Sequence, residues 1–252
     1  MEIESLSATK MNEDRLTLDN LLNNHHYKFF VPAQFFLATV TLISIASIIL
    51  ETVQPLERFS TLFLVIEWGA VLFFSAEYLA RISVSRRKLN YVISFWGIID
   101  LVTILPTFLG LGNLTFLKSV RILRILRLLR ILRLAKISRV YLQLHDEAKT
   151  QADLNQINIA IYFLSLTSAI VGLGSVLYVI ENAQYAYSNI PLAMLEASKI
   201  LVGGLGQAPT ATLAGEIIVV LGRLIGLALF GLLISIIGST LNQLLFGKAE
   251  KK

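Results

Sequence analysis

Apolar runs long enough to cross about 30 Å of hydrocarbon, about 20 residues of helix, recur along the chain and predict six membrane crossings of different character. Val31 to Leu50 is free of charge, Thr61 to Ala80 contains Glu67 and Glu77, and Tyr91 to Leu109 contains Asp100 and Pro106. Leu117 to Val140 is apolar in two of every three positions and basic in the third, so a hydropathy window alone undervalues it. Ile157 to Ile180 is uncharged, and Ile217 to Phe246 holds a single Arg223. A further apolar stretch, Ile190 to Leu205, is too short to span and sits in a connection, Glu181 to Glu216, too long for a turn. Irregular backbone at membrane depth survives only inside protein or along a water-filled cavity, so this stretch predicts a re-entrant loop.

The pattern therefore predicts an all-α integral membrane protein. Residues 1–30 form an N-terminal segment, 31–140 a four-helix bundle, 141–156 a polar linker helix, and 157–246 a two-helix module with a re-entrant loop near 190–209. Residues 247–252 form a short tail.

Composition supports the membrane assignment. Of 252 residues, 55% are hydrophobic and 15% charged, against about 25% charged in an ordinary soluble domain. The apolar surplus must face lipid. A net charge of +5 in a soluble chain would raise nucleic acid as a partner, but eight of the 22 basic residues fall in the basic crossing, and no nucleic-acid partner is expected. With no cysteine, disulfides, thiolate metal sites and cysteine nucleophiles are excluded. No His or paired-carboxylate arrangement has catalytic spacing outside the first bundle, so neither an enzyme nor a cofactor is expected.

Loop charges give orientation. The loop after the second crossing carries Arg81, Arg86, Arg87 and Lys88, whereas the one after the first has Arg58 beside Glu51 and Glu57. Short cytoplasmic loops are rich in Lys and Arg, which places the second loop inside. Six crossings then put both termini in the cytoplasm of a multi-pass cell-membrane protein. The polar, mixed-charge first 30 residues do not read as a cleavable signal peptide.

The basic crossing carries the most specific chemistry. Lys118, Arg121, Arg124, Arg127, Arg130, Arg133, Lys136 and Arg139 recur at an unbroken spacing of three. That spacing spirals slowly around an α-helix or lines one face of a 3₁₀ stretch. A lipid-surface or nucleic-acid-binding helix would keep a wide polar face, which this one lacks. Each charge at the bilayer centre costs a few kcal/mol, and buried carboxylates need cationic partners. Glu67, Glu77 and Asp100 in the neighbouring crossings are suitable counter-charges.

These residues resemble the voltage-gated cation channel family, particularly voltage-gated potassium channels. FFSAEYLAR is similar to that family's Phe-x-x-Glu-x-x-x-Arg signature, which falls on Phe74, Glu77 and Arg81, with Glu67 at the outer acidic position. IIDLVTILPTFL is similar to its Asp-Leu-x-x-Ile-Leu-Pro run, with Asp100 as the acid. The resemblance implies that the first four crossings form a voltage sensor. It makes the eight basic residues gating charges, and Phe74, Glu77 and Asp100 the centre through which they pass. Moving one charge through the membrane field is worth about 2.3 kcal/mol per 100 mV. A pore module needs cyclic closure, which implies a lipid-embedded homotetramer: this chain and three further copies of itself.

The resemblance also implies a selectivity filter at Val202, Gly203, Gly204, Leu205 and Gly206, whose backbone carbonyls would replace the water around a permeant K⁺. Here the chain departs from Thr-Val-Gly-Tyr-Gly-Asp. The Thr is missing, Leu205 stands for the Tyr, Gln207 for the Asp, and Leu195-Glu196 for a tandem Trp. Lys199 opposes cation conduction unless Glu196, three residues earlier on the same helical face, neutralises it. Gly226 falls on the gating-hinge position, with close helix packing as the alternative, and Arg223 has either Glu216 or the preceding loop as a partner. The expected function is a voltage-gated, potassium-conducting channel. A weakly selective or non-potassium pore, or a non-conducting voltage-sensing regulator, is the alternative. Val171-Gly172-Leu173-Gly174 also looks filter-like but interrupts an apolar span, where small residues serve close helix approach.

Overall fold

A computed structural model describes residues 28–85, 88–109, 126, 128–133 and 151–246, and every regular element among them is helical. Helix α1 (Phe30–Glu51) leads through a 3₁₀ turn (Gln54–Phe59) into α2 (Ser60–Val84). Then come α3 (Lys88–Ile93), α4 (Phe95–Leu109) and a 3₁₀ turn (Leu129–Arg133). Helix α5 (Gln151–Ile180), a 3₁₀ turn (Tyr185–Tyr187), α6 (Ile190–Val202) and α7 (Leu213–Phe246) complete the order. Among the described residues, four stretches are long and apolar enough to cross a membrane: Phe30–Glu51, Gln54–Val84, Ile157–Ile180 and Leu213–Asn242. Phe95–Phe108 is apolar but shorter.

The expected third crossing, Tyr91 to Leu109, is not one continuous rod. It breaks at Ser94, whose hydroxyl donates to the Tyr91 carbonyl at 2.6 Å and accepts from the Gly97 N–H at 3.1 Å. The second contact is an N-cap, since a Ser oxygen satisfies a donor in the first turn of α4. Gly97 permits the close approach of the two helices at this break, because a Cβ there would lie 1.9 Å from the Tyr91 oxygen. Of the basic crossing, Leu129–Arg133 is described, and it is 3₁₀, one of the two geometries compatible with the spacing of three. Lys118, Arg121, Arg124, Arg127, Lys136 and Arg139 lie outside the described residues, as do 1–27, 134–150 and 247–252. Helix α5 starts at Gln151, so the last residues assigned to the linker continue in helix into the fifth apolar run.

Two apolar clusters organise the packing of the described residues. The larger joins Ile48 of α1, Ile131 of the 3₁₀ turn, Leu177 of α5, Ile190 and Ile200 of α6 and Val219 of α7. Helix α6 is thus wedged among elements from both halves of the chain. The smaller cluster consists of Ala70, Val71 and Phe74 of α2 against Ile104 of α4. In the Val171-Gly172-Leu173-Gly174 stretch of α5, a Cβ on Gly174 would fall 2.8 Å from Met194 backbone atoms, so this glycine lets α5 and α6 approach closely. The C-terminal end of α1 also meets α6, where the Ile190 N–H donates to Thr52 Oγ1 at 3.0 Å.

Candidate functional site

The candidate site has two parts. In the first half of the chain, Arg130 is fully buried. Its guanidinium donates to Glu67 Oε1 at 2.5 Å and Oε2 at 3.0 Å, an arrangement in which both carboxylate oxygens are used. Nη2 also reaches Thr107 Oγ1 at 3.1 Å, Nη1 donates to Ser44 Oγ, and Nε faces the Thr103 carbonyl at 3.5 Å. Thr107 donates to Glu67 Oε1 at 2.5 Å. Three helices thus enclose one guanidinium: α1 through Ser44, α2 through Glu67, and α4 through Thr103 and Thr107. A buried charge is tolerable when paired and when its remaining hydrogen-bonding positions are filled.

Helix α2 carries a stripe of alternating chemistry on its inner face. Glu67 is followed at helical spacing by Ala70, Val71 and Phe74, all buried, and then by Glu77 and Arg81. At 1.5 Å per residue, Glu67 stands about 10 Å along the axis on one side of Phe74, and Glu77 about 4.5 Å on the other. Apolar side chains therefore separate two charged layers. In the second layer Arg81 bridges Glu77 at 2.7 Å and Asp100 at 3.3 Å, and the Tyr91 hydroxyl donates to Asp100 at 2.7 Å. The structure thus brings Glu67, Phe74, Glu77, Asp100 and Arg130 onto one internal track. Arg133 contributes backbone to the 3₁₀ turn.

In the second half, α6 begins with Asn189 as N-cap, its side chain accepting from the Leu192 N–H at 2.9 Å, and Pro191 follows in the first turn. The helix ends at Val202, and Gly203 and Gly204 both take positive φ, 70° and 71°. Side chains rarely adopt that region, so glycine is required twice in succession for this reversal. Residues 202–206 are exposed in the single chain. They border a cavity of about 610 Å³ shared with Arg223, Gly226 and Phe230 of α7. A Cβ on Gly226 would stand 2.0 Å from the Leu201 carbonyl oxygen, so α7 packs directly onto the end of α6 there.

The chain leaving the glycines is held by buried side chains. Glu196 accepts from Lys199 Nζ at 2.6 Å and from the Ala208 N–H at 2.7 Å, and the Tyr187 hydroxyl donates to the Ala208 carbonyl at 2.9 Å. Burial, with Glu196 and Glu181 nearby, pushes the Tyr187 hydroxyl up to about 12. Glu181 accepts from the Ala211 N–H at 2.8 Å, the Thr212 N–H at 3.0 Å and the Thr212 hydroxyl. Burial alone would raise its pKa. The hydrogen bonds from Thr212, Ala211 and Gln184 outweigh that and hold the carboxyl below its usual range. Thr212 in turn caps α7, accepting from the Gly215 N–H at 2.9 Å. Arg223 reaches the loop, donating to Gln207 Oε1 at 3.2 Å.

The polar partners of Arg130 were not singled out from sequence, yet they leave a trace there. Thr41, Ser44 and Ser47 recur every three residues on α1 and are all buried, and Asp100, Thr103 and Thr107 share one face of α4. Small polar residues in register on an apolar helix mark a face turned towards protein. Glu181 and Tyr187 left no comparable signal, because their partners are backbone groups about 20 to 30 residues downstream.

Long apolar helices that enclose buried ion pairs define a multi-pass membrane protein. The family model described as ion transport protein matches residues 31–246. The chain belongs to that family and is an ion channel protein. No curated protein matches the chain.

Proposed function

We propose that the protein is a voltage-gated channel, potassium-conducting and built from four copies of the chain around one pore. The observation that carries this reading is Arg130: one of eight basic residues at a spacing of three, fully buried and matched by Glu67 inside a bundle of apolar helices. A charge held by exchangeable partners inside the membrane field is the element a voltage needs in order to do work. The ladder moves along the track of Glu67, Phe74, Glu77 and Asp100. Its gating charges are Lys118, Arg121, Arg124, Arg127, Arg130, Arg133, Lys136 and Arg139. Residues 202–206 form the filter that binds the permeant monovalent cation. Bending of α7 at Gly226 separates it from Leu201 and opens the inner end. Six crossings place both termini in the cytoplasm.

Planar-bilayer recording under opposed potassium and sodium gradients tests the ion. A reversal potential that follows potassium is expected, and one indifferent to potassium removes the selectivity claim. Arg127→Gln and Arg130→Gln should each make the charge-voltage relation shallower, whereas an unchanged slope contradicts their assignment. Leu205 and Gln207 favour a second reading, a voltage-sensing regulator with no conduction. Gating current without ionic current in any tested cation would establish that reading instead.

A further inference from the structure

Two basic side chains lie beside the glycine-rich segment, and the structure treats them differently. Lys199 is paired at 2.6 Å with the buried carboxylate of Glu196, so its charge is cancelled locally. Among the described residues Arg223 has no such partner. Among the described residues its guanidinium meets the neutral amide oxygen of Gln207 at 3.2 Å, and Glu216 stands seven residues away on the same helix, about 10 Å along the axis. Arg223 occurs in a stretch of mean hydropathy 2.7 that is long enough to span a membrane. A guanidinium facing lipid there would be costly, which favours a water-filled location. The structure supplies one: Arg223 lines the same cavity as the backbone of Gly203, Gly204 and Gly206. The position after the glycines, where an acid would attract cations, is occupied by Gln207.

We infer that Arg223 is a specificity-determining residue of the pore, whose uncompensated positive charge excludes divalent cations and limits the flow of monovalent ones. The inference rests on residues 202–206 lining the conduction path. Its physics is Coulomb's law. The repulsion on a divalent ion is twice that on a monovalent ion at the same place, so the effect on relative occupancy is squared. Cyclic repetition places one such charge in each copy around the path. Charges lining a pore select by sign, and this one acts against the current it borders.

The test compares full-length protein, Arg223→Gln, Arg223→Lys and Gln207→Glu in reconstituted bilayers, with potassium and calcium as the permeant ions. Arg223→Gln should raise unitary potassium conductance roughly three-fold at low ionic strength and the calcium-to-potassium permeability ratio by a similar factor, the gain shrinking as salt screens the charge. Gln207→Glu, which keeps the arginine but sets a carboxylate against it, should change both in the same direction. Arg223→Lys keeps the charge and should behave as the parent does. The inference is overturned if Arg223→Gln and Gln207→Glu leave conductance and permeability ratio unchanged, or if Arg223→Lys alters them as much as Arg223→Gln does. If Arg223→Gln does not assemble, Gln207→Glu decides by the same readings. A parent protein with gating current but no cation current would instead defeat the reading of the pore itself.

Discussion

Buried glutamates are used in opposite ways in the two halves of the molecule. In the first, Glu67 holds a side chain: its partners are the Arg130 guanidinium and the Thr107 hydroxyl, contributed by segments 63 and 40 residues away. In the second, Glu181 and Glu196 take side-chain partners as well, but each also holds backbone: the N–H groups of Ala208, Ala211 and Thr212. A side-chain partner is one group on a rotatable stem, and another side chain of the same charge can replace it without a change in the main chain. A backbone N–H has no equivalent nearby, so a carboxylate that binds it fixes the chain. The apolar packing follows the same division. The charged track has the small cluster around Phe74, whereas α6 sits in the large cluster shared by five other segments. One half uses its buried carboxylate to seat a side chain, the other to anchor the main chain.

The contrast is broken most severely by Glu67→Ala. It leaves Arg130 buried without its counter-charge, and the loss of stability should be about 3–5 kcal/mol, read as a fall in the thermal midpoint in detergent. Replacing both residues together, Glu67→Met with Arg130→Met, should recover most of that loss. If the double variant is as unstable as the single one, Glu67 matters for reasons other than pairing.

Gly226→Ala tests permanence in the second half. Its new methyl meets the Leu201 carbonyl, and overpacking of this kind costs about 1–3 kcal/mol. Normal stability would show that α7 yields easily at this point.

Glu181→Gln should cost about 1–3 kcal/mol, because the amide cannot match every donor aimed at the carboxylate. It also separates the halves by pH. The folded Glu181 carboxyl titrates below its unfolded value, so its contribution is complete above the ordinary carboxylate range and is lost as pH falls through the lowered value. Acid unfolding curves should therefore be less steep below about pH 4 in the variant, and superimposable acid limbs would contradict the assignment.

The smallest effect belongs to the contact between the halves. Thr52→Val removes the acceptor for the Ile190 N–H, and a loss of about 1 kcal/mol is expected. A change well above that would mean that the end of α1 supports α6 by more than one hydrogen bond.

Long apolar runs were legible because crossing hydrocarbon is a one-dimensional requirement: length and composition answer it without reference to partners. Thus α1, α2, α5 and α7 match runs visible in the sequence, extended by a few residues at their ends where polar side chains still suit a helix. Ser94 shows where that reasoning stops. A single hydroxyl capping α4 and a glycine allowing close approach divide an apolar run that looks continuous. The ladder of basic residues and the acids beside it could be seen directly, since spacing and charge are properties of the string. The pairing of Arg130 with Glu67, rather than with Glu77 or Asp100, could not, because three carboxylates were available.

The sequence by itself determined that this chain lives in a membrane, that eight of its 22 basic residues recur on one periodic segment, and that carboxylates lie in neighbouring apolar runs. These are consequences of transfer free energy and charge balance, which sum along the chain. Only the tertiary structure decided which acid meets which base, that Lys199 is neutralised while Arg223 faces a neutral amide, and that Glu181 and Glu196 bind backbone. Those outcomes depend on distances between residues far apart in sequence, and a hydrogen bond or ion pair is lost within an ångström or two of its proper length.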